Sequence, residues 1–156
     1  DLRMRLKVVQ QTRSEQIDAV QAAYARAGIS AECAPFFNDM ADRLARTHYF
    51  VGRSGASTLT ELACVGRPAL FVPLAIAMDD HQTANAAGMV AAGAADMLTE
   101  KDFTPEKVAA LLAGRFKNPQ GLAEMAANAH ALGKPDAADR LADIAEQLID
   151  SQEAKA

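Results

Sequence analysis

Residues 53–86 read RSGASTLTELACVGRPALFVPLAIAMDDHQTANA, and the order of signals in this stretch decides the fold. A turn of small residues, Arg53 to Thr58, opens into a helical run that Gly66 closes. Pro68 then precedes the apolar run Ala69–Val72, a buried strand that Pro73 ends. A loop follows that finishes in Asp79-Asp80-His81-Gln82 and leads into a second helix carrying Asn85. Strand, helix and strand at this spacing form a βαβ unit, and such units build parallel sheets with helices on their faces.

The flanking sequence repeats that alternation. Arg5–Thr12 reads as a strand, and Ser14–Ala27 as a helix capped by Ser14 and stopped by Gly28. Ala31–Phe37 is strand-like, Asn38–Ala45 a short helix capped by Asn38, and His48–Val51 a short buried strand. The spacing predicts helices over Thr58–Val65 and Asp80–Ala92, the second ended by Gly93, and a last strand around Ala94–Leu98. Three helices then follow: Thr104–Ala113 with Pro105 in the first turn, Pro119–Ala131, and Asp136–Asp150. The expected architecture is α/β: a Rossmann-like parallel sheet with flanking helices, followed by C-terminal helices. Residues 1–150 read as one domain and 151–156 as a frayed tail.

Composition narrows the function. The chain has 156 residues, half of them apolar, with few aromatics and no tryptophan, which suits closely packed helices. A net charge of −4 argues against a general nucleic-acid binder. No apolar run approaches the ~20 residues of a membrane span, and no signal peptide is visible. Cys33 and Cys64 sit singly among apolar neighbours, as reduced core cysteines of a cytosolic protein do. No GxGxxG, P-loop, HExxH or GxSxG motif is present.

In an open parallel sheet, ligands bind beyond the carboxyl ends of the strands. The Arg53–Thr58 turn lies at such an end. It reads either as an ordinary helix cap or as an anion site formed by the amides of the helix start. Glu61 follows Thr58 at capping-box spacing and could reach back to the Thr58 amide. Spacing alone favours that cap; the other reading is that its carboxylate accepts hydrogen bonds from two vicinal ribose hydroxyls. Asp79 or Asp80 could simply cap a helix, while His81 and Gln82 in its first turn could bond sugar hydroxyls. A nucleotide-linked sugar calls for all three features: helix amides, a carboxylate and hydrogen-bonding side chains. No nucleophile, base and acid surround His81, and His48 and His130 read as structural.

Taken together, RSGASTLTELACVGRPALFVP and DDHQTANA resemble the donor-binding half of the lipid II-forming N-acetylglucosaminyltransferases of bacterial cell-wall synthesis, the MurG family. The similarity extends through PFFNDMADRLARTHYFVGRSGA and AAGAADMLTEKDFTPEKVAALL and so covers nearly the whole chain. It implies the carboxy-terminal half of a glycosyltransferase B-type fold. It implies transfer of N-acetylglucosamine from the UDP-sugar to undecaprenyl-pyrophosphoryl-N-acetylmuramoyl-pentapeptide, with no metal and no cofactor. By resemblance Glu61 holds the ribose, while Ala56, Ser57 and Thr58 meet the diphosphate and sugar. Phe36 and Phe37 read the uracil, largely through the Phe37 backbone. His81, Gln82 and Asn85 contact the sugar, and Arg53 and Gly55 shape the turn.

The resemblance also implies that this chain lacks the acceptor-binding amino-terminal domain, the catalytic base and the first strand of the donor domain. It therefore carries no catalytic residue of its own and is expected to be inactive alone. The longer protein is expected at the cytoplasmic face of the membrane. The absent strand would leave two neighbouring edges either to pair directly or to accept a strand from another chain or segment. Two other readings stand beside this one: a different sugar-nucleotide glycosyltransferase or epimerase of the same fold, and a non-catalytic partner module.

Overall fold

Short strands of apolar residues, each followed by an alanine-rich helix, cannot pair as hairpins and must cross over in parallel. The computed structural model describes residues 2–74 and 81–153. The chain divides into two compact units, Asp1–Arg43 and Leu44–Ala156. Each holds its own parallel sheet, with helices alternating between the strands as the sequence predicts.

The first unit is one βαβ turn. β1 (Lys7–Gln11) and β2 (Ser30–Ala34) pair in parallel from Lys7↔Ser30 to Gln11↔Ala34. Between them runs α1 (Ile17–Arg26), which ends where Gly28 turns to φ 69° and Ile29 N–H donates to the Tyr24 carbonyl. Ser14 does not cap this helix. It opens a 3₁₀ turn closed by Gln16 N–H to Arg13 C=O, and α1 begins only beyond it, without a side-chain cap. The Tyr24 hydroxyl donates to Gln10 Oε1 at 2.6 Å, and burial pushes its pKa up. α2 (Met40–Arg46) follows and carries the boundary between the units.

The second unit orders its strands β3-β4-β5 (Phe50–Gly52, Ala69–Phe71, Ala95–Met97), all parallel. β4 is central and wholly buried, so its residues read as a continuous apolar run rather than an alternation. α3 (Ala56–Val65), α4 (His81–Ala91), α5 (Pro105–Lys117), α6 (Pro119–Ala131) and α7 (Ala137–Glu153) complete the unit. The core gathers Leu62, Phe71, Ala86, Met89, Ala94 and Ala129. α5 and α6 start as their sequences predict, with Thr104 and Asn118 accepting from the amides of Lys107 and Gly121 and proline next in line. α7 runs to Glu153, three residues into the stretch read as tail, while 154–156 and Asp79-Asp80 lie outside the described residues. Among the described residues no helix is long and apolar enough to cross a membrane.

The base of the second sheet is tied by a polar triad. Tyr49, just before β3, donates to Asp96 of β5, and Arg115 of α5 forks onto the same carboxylate. Burial, then the bond to Asp96, pushes the Tyr49 hydroxyl pKa well up.

β1 has only β2 beside it, and β3 only β4, among the described residues. Direct pairing of β1 with β3, one of the two expected outcomes, is therefore not observed.

Close packing of α3 on α6 depends on Gly66. Its φ is 64°, and an added Cβ would lie 2.9 Å from His130 Cβ and 3.2 Å from the Ala126 carbonyl oxygen. Gly88, inside α4, has open space instead. Chemical denaturation should find Gly66→Ala less stable by more than ~1 kcal/mol and Gly88→Ala more stable by about 0.5–1 kcal/mol. Equal effects at the two positions would contradict this packing.

Candidate functional site

The turn leaving β3 is fastened before any ligand arrives. Ser54 is 0% exposed. Its hydroxyl donates to the Gln82 carbonyl at 2.7 Å, and its own carbonyl accepts from Asn85 Nδ2 at 3.2 Å. Arg53 Nη1 donates to the carbonyls of Val72 and Pro73, at 2.9 and 3.2 Å, and Nη2 pairs with Glu100 at 2.6 Å. Gln82 Oε1 accepts from Leu74 N–H at 3.0 Å. The exits of β3 and β4 and the start of α4 are thereby joined at the carboxyl end of the sheet, where ligands bind in such folds.

α3 begins immediately beyond that junction. Gly55, extended at φ −65° and ψ 146°, is its N-cap, and no side chain caps it. The first helical bond runs from Leu59 N–H to Gly55 C=O, so the amides of Ala56, Ser57 and Thr58 precede the bonded ladder. Such a start carries partial positive charge and suits an anion. The capping box does not form. The helix starts two residues earlier than the sequence pattern indicates, so Thr58 is its third residue and Glu61 lies a full turn inside.

Glu61 is exposed, and its carboxylate makes no hydrogen bond or ion pair among the described residues. It lies four positions beyond exposed Ser57, so the two share one helix face about 6 Å apart along the axis. Uncapped amides, a hydroxyl and a carboxylate thus succeed one another from the tip of α3 inward. Arg53, the nearest cation in sequence, is committed to Glu100 and the β4 exit.

Of the predicted sugar contacts, His81 is the exposed first residue of α4. Gln82 and Asn85 are half-buried, and each spends one end of its amide on the junction. That leaves Gln82 Nε2 as a donor and Asn85 Oδ1 as an acceptor. Among the described residues, no group of three His, Cys, Asp or Glu could hold a metal ion.

Phe36 and Phe37 belong to the first unit, in the loop between β2 and α2. Their environments are opposite: Phe36 is 70% exposed and Phe37 only 7%. The Arg43 guanidinium stacks 4.1 Å from the Phe37 ring centroid. Neither backbone group of Phe37 makes a hydrogen bond among the described residues.

Neither Ser54 nor Arg43 is marked as a site support in the sequence. A serine in a turn of small residues carries no mark of total burial. Asp39 and Arg43 do stand at helical pairing distance, but nothing local announces the stacked ring.

The family described as Glycosyltransferase family 28 C-terminal domain matches residues 1–141. A Maricaulis maris (strain MCS10) protein is 53% identical over 148 residues, covering 95% of this chain and 40% of the relative. It is named UDP-N-acetylglucosamine--N-acetylmuramyl-(pentapeptide) pyrophosphoryl-undecaprenol N-acetylglucosamine transferase. A protein of the same name from Granulibacter bethesdensis (strain ATCC BAA-1260 / CGDNIH1) is 51% identical over 153 residues, or 98% of this chain and 40% of its own length. The crystal structure of Acinetobacter baumannii MurG superposes with a TM-score of 0.82 at 38% identity, over 91% of this chain and 41% of that one. The glycotransferase of kitacinnamycin shares the fold, with a TM-score of 0.62 at 18% identity over 90% of this chain and 42% of that one. The chain thus spans about 40% of the length of the relatives it matches.

The junction separates two nearby serines. Ser54→Ala leaves a carbonyl short of a buried donor and should cost about 1–2 kcal/mol in denaturant unfolding. Ser57→Ala, on the exposed tip of α3, should stay within about 0.5 kcal/mol of wild type. A reversed order would contradict the geometry.

Proposed function

The chain belongs to glycosyltransferase family 28, as its C-terminal domain, and from that premise we propose that it binds UDP-N-acetylglucosamine for transfer to a lipid-linked acceptor. In the longer protein the acceptor is undecaprenyl-pyrophosphoryl-N-acetylmuramoyl-pentapeptide, and the reaction runs at the cytoplasmic membrane face. The observation that carries this reading is the exposed Glu61 carboxylate, unpaired among the described residues, one turn behind three uncapped amides. Residues 1–150 together serve as the donor-binding part.

Each portion of the donor meets fitting chemistry. The amides of Ala56, Ser57 and Thr58 receive the diphosphate, with the Ser57 hydroxyl beside them. Glu61 accepts from both ribose hydroxyls, a role for an ionised double acceptor. His81, Gln82 and Asn85 bond the N-acetylglucosamine hydroxyls, the last two through the amide ends their structural bonds leave open. Phe36 and Phe37 read the uracil.

The reaction is a direct displacement with inversion. An acceptor oxygen bonds to the anomeric carbon as the bond from that carbon to the phosphate oxygen breaks, and the electron pair leaves with UDP. Helix-start amides stabilise the charge that grows on the leaving diphosphate. The base that takes the acceptor proton is supplied by the remainder of the longer protein. No metal or cofactor is required by this scheme. The edges of β1 and of β3, unpaired among the described residues, support a second element of the reading: each accepts a further strand, from a neighbouring segment or another chain.

Calorimetric titration with UDP-N-acetylglucosamine, UDP-N-acetylgalactosamine and UDP tests the assignment. Wild type should bind UDP weakly and prefer the N-acetylglucosamine donor. Glu61→Ala should weaken UDP about 10- to 100-fold, the loss of charged hydrogen bonds to the ribose. Equal UDP affinity in Glu61→Ala and wild type would refute the ribose role.

A further inference from the structure

One guanidinium bridges the two ends of the loop between β2 and α2. Arg43 Nη1 and Nη2 fork onto the two oxygens of Glu32, both at 2.9 Å, and Nε donates to Asp39 Oδ1 at 2.6 Å. The same planar group covers the Phe37 ring at 4.1 Å. Its partners are spread along the loop: Glu32 on β2 before it, Phe37 within it, Asp39 at its end. The backbone adds Arg43 N–H to Asp39 C=O at 3.1 Å, and Gln11 Nε2 holds the Pro35 carbonyl at 3.0 Å. Only an arginine can fork, stack and donate laterally from one rigid plane; a lysine ammonium is a point charge.

This clamp decides which parts of the loop remain available. The Phe37 ring is consumed as the platform under Arg43, so it offers no face to a ligand. The Phe36 ring stands in solvent, and the Phe37 N–H and C=O have no partner among the described residues. An N–H and a C=O from one residue match the uracil edge, which presents a carbonyl acceptor and an imide donor. Cytosine reverses that pattern, with an amino donor and a ring-nitrogen acceptor. Discrimination between the two therefore depends on the peptide groups at Phe37 being unable to rotate.

We propose that Arg43 is a positioning residue for base selectivity: by clamping Phe37 between Glu32 and Asp39 it fixes the backbone donor and acceptor that favour uracil over cytosine. The proposal rests on the reading of Phe36 and Phe37 as the uracil contact. Arg43 itself does not touch the nucleotide.

The test is the ratio of UDP to CDP affinity, measured by calorimetry on the full chain. Wild type should prefer UDP. Arg43→Lys should lower that preference about five- to tenfold, the size of one misplaced hydrogen bond, while far-ultraviolet circular dichroism stays unchanged. Glu32→Gln, which keeps the stacked arginine but weakens its fork, should lower it less and in the same direction. It decides the matter should Arg43→Lys fail to fold. A folded Arg43→Lys, or failing that Glu32→Gln, with the wild-type ratio would overturn the role of Arg43 alone. A wild type that binds UDP and CDP equally would overturn the uracil reading and this inference with it. A wild type that binds neither would overturn the proposed function as a whole.

Discussion

Ser54 has no exposed surface, and both of its oxygens are bonded to α4. The rest of the candidate site depends on that junction. A buried hydroxyl without a partner is costly, so the turn after β3 is stable only while α4 supplies the Gln82 carbonyl and the Asn85 amide. Arg53 extends the fastening to the β4 exit through two carbonyls and to Glu100 through an ion pair. With its leading turn held on several sides, α3 projects its first three amides without a capping side chain. A flexible turn would let a nearby hydroxyl or carboxylate fold back onto those amides.

The charge pattern at this tip has a consequence for binding. The one basic side chain in the turn is paired with Glu100, so in the proposed reading the donor's diphosphate is attracted by the backbone itself. Backbone amides are fixed in place and need no reorganisation when charge moves onto a leaving diphosphate. A donor held in this way is stabilised more as its phosphate charge grows, which is what accelerates a displacement.

Much of the fold was legible because its signals are local. Gly28, Gly66 and Gly93 all adopt positive φ where a helix must end, and the helix read at roughly 119–131 spans Pro119–Ala131. Thr104-Pro105 marked another start correctly. The errors arose where tertiary bonds override local pattern. Thr58 and Glu61 have capping-box spacing, yet the buried bonds of Ser54 set the turn earlier, so the helix starts at Ala56 and the spacing loses its meaning. Ser14 has the chemistry of a cap, but a 3₁₀ turn absorbs it. The separation of β1 from β3 was legible only through the family resemblance and not from local pattern, because pairing is a property of edges that lie far apart in sequence. At the site, residue types pointed to Glu61 and the α3 tip, whereas the supports, Ser54 and Arg43, show themselves only through contacts.

The central claim is that the uncapped start of α3 holds the diphosphate. The most direct measurement follows backbone amide resonances of the isotope-labelled chain during titration with UDP. The account predicts that the amides of Ala56, Ser57 and Thr58 show saturable shifts among the largest in the chain, and that inorganic pyrophosphate reproduces them while uridine does not. Saturable UDP binding that leaves those three amides unmoved would contradict it.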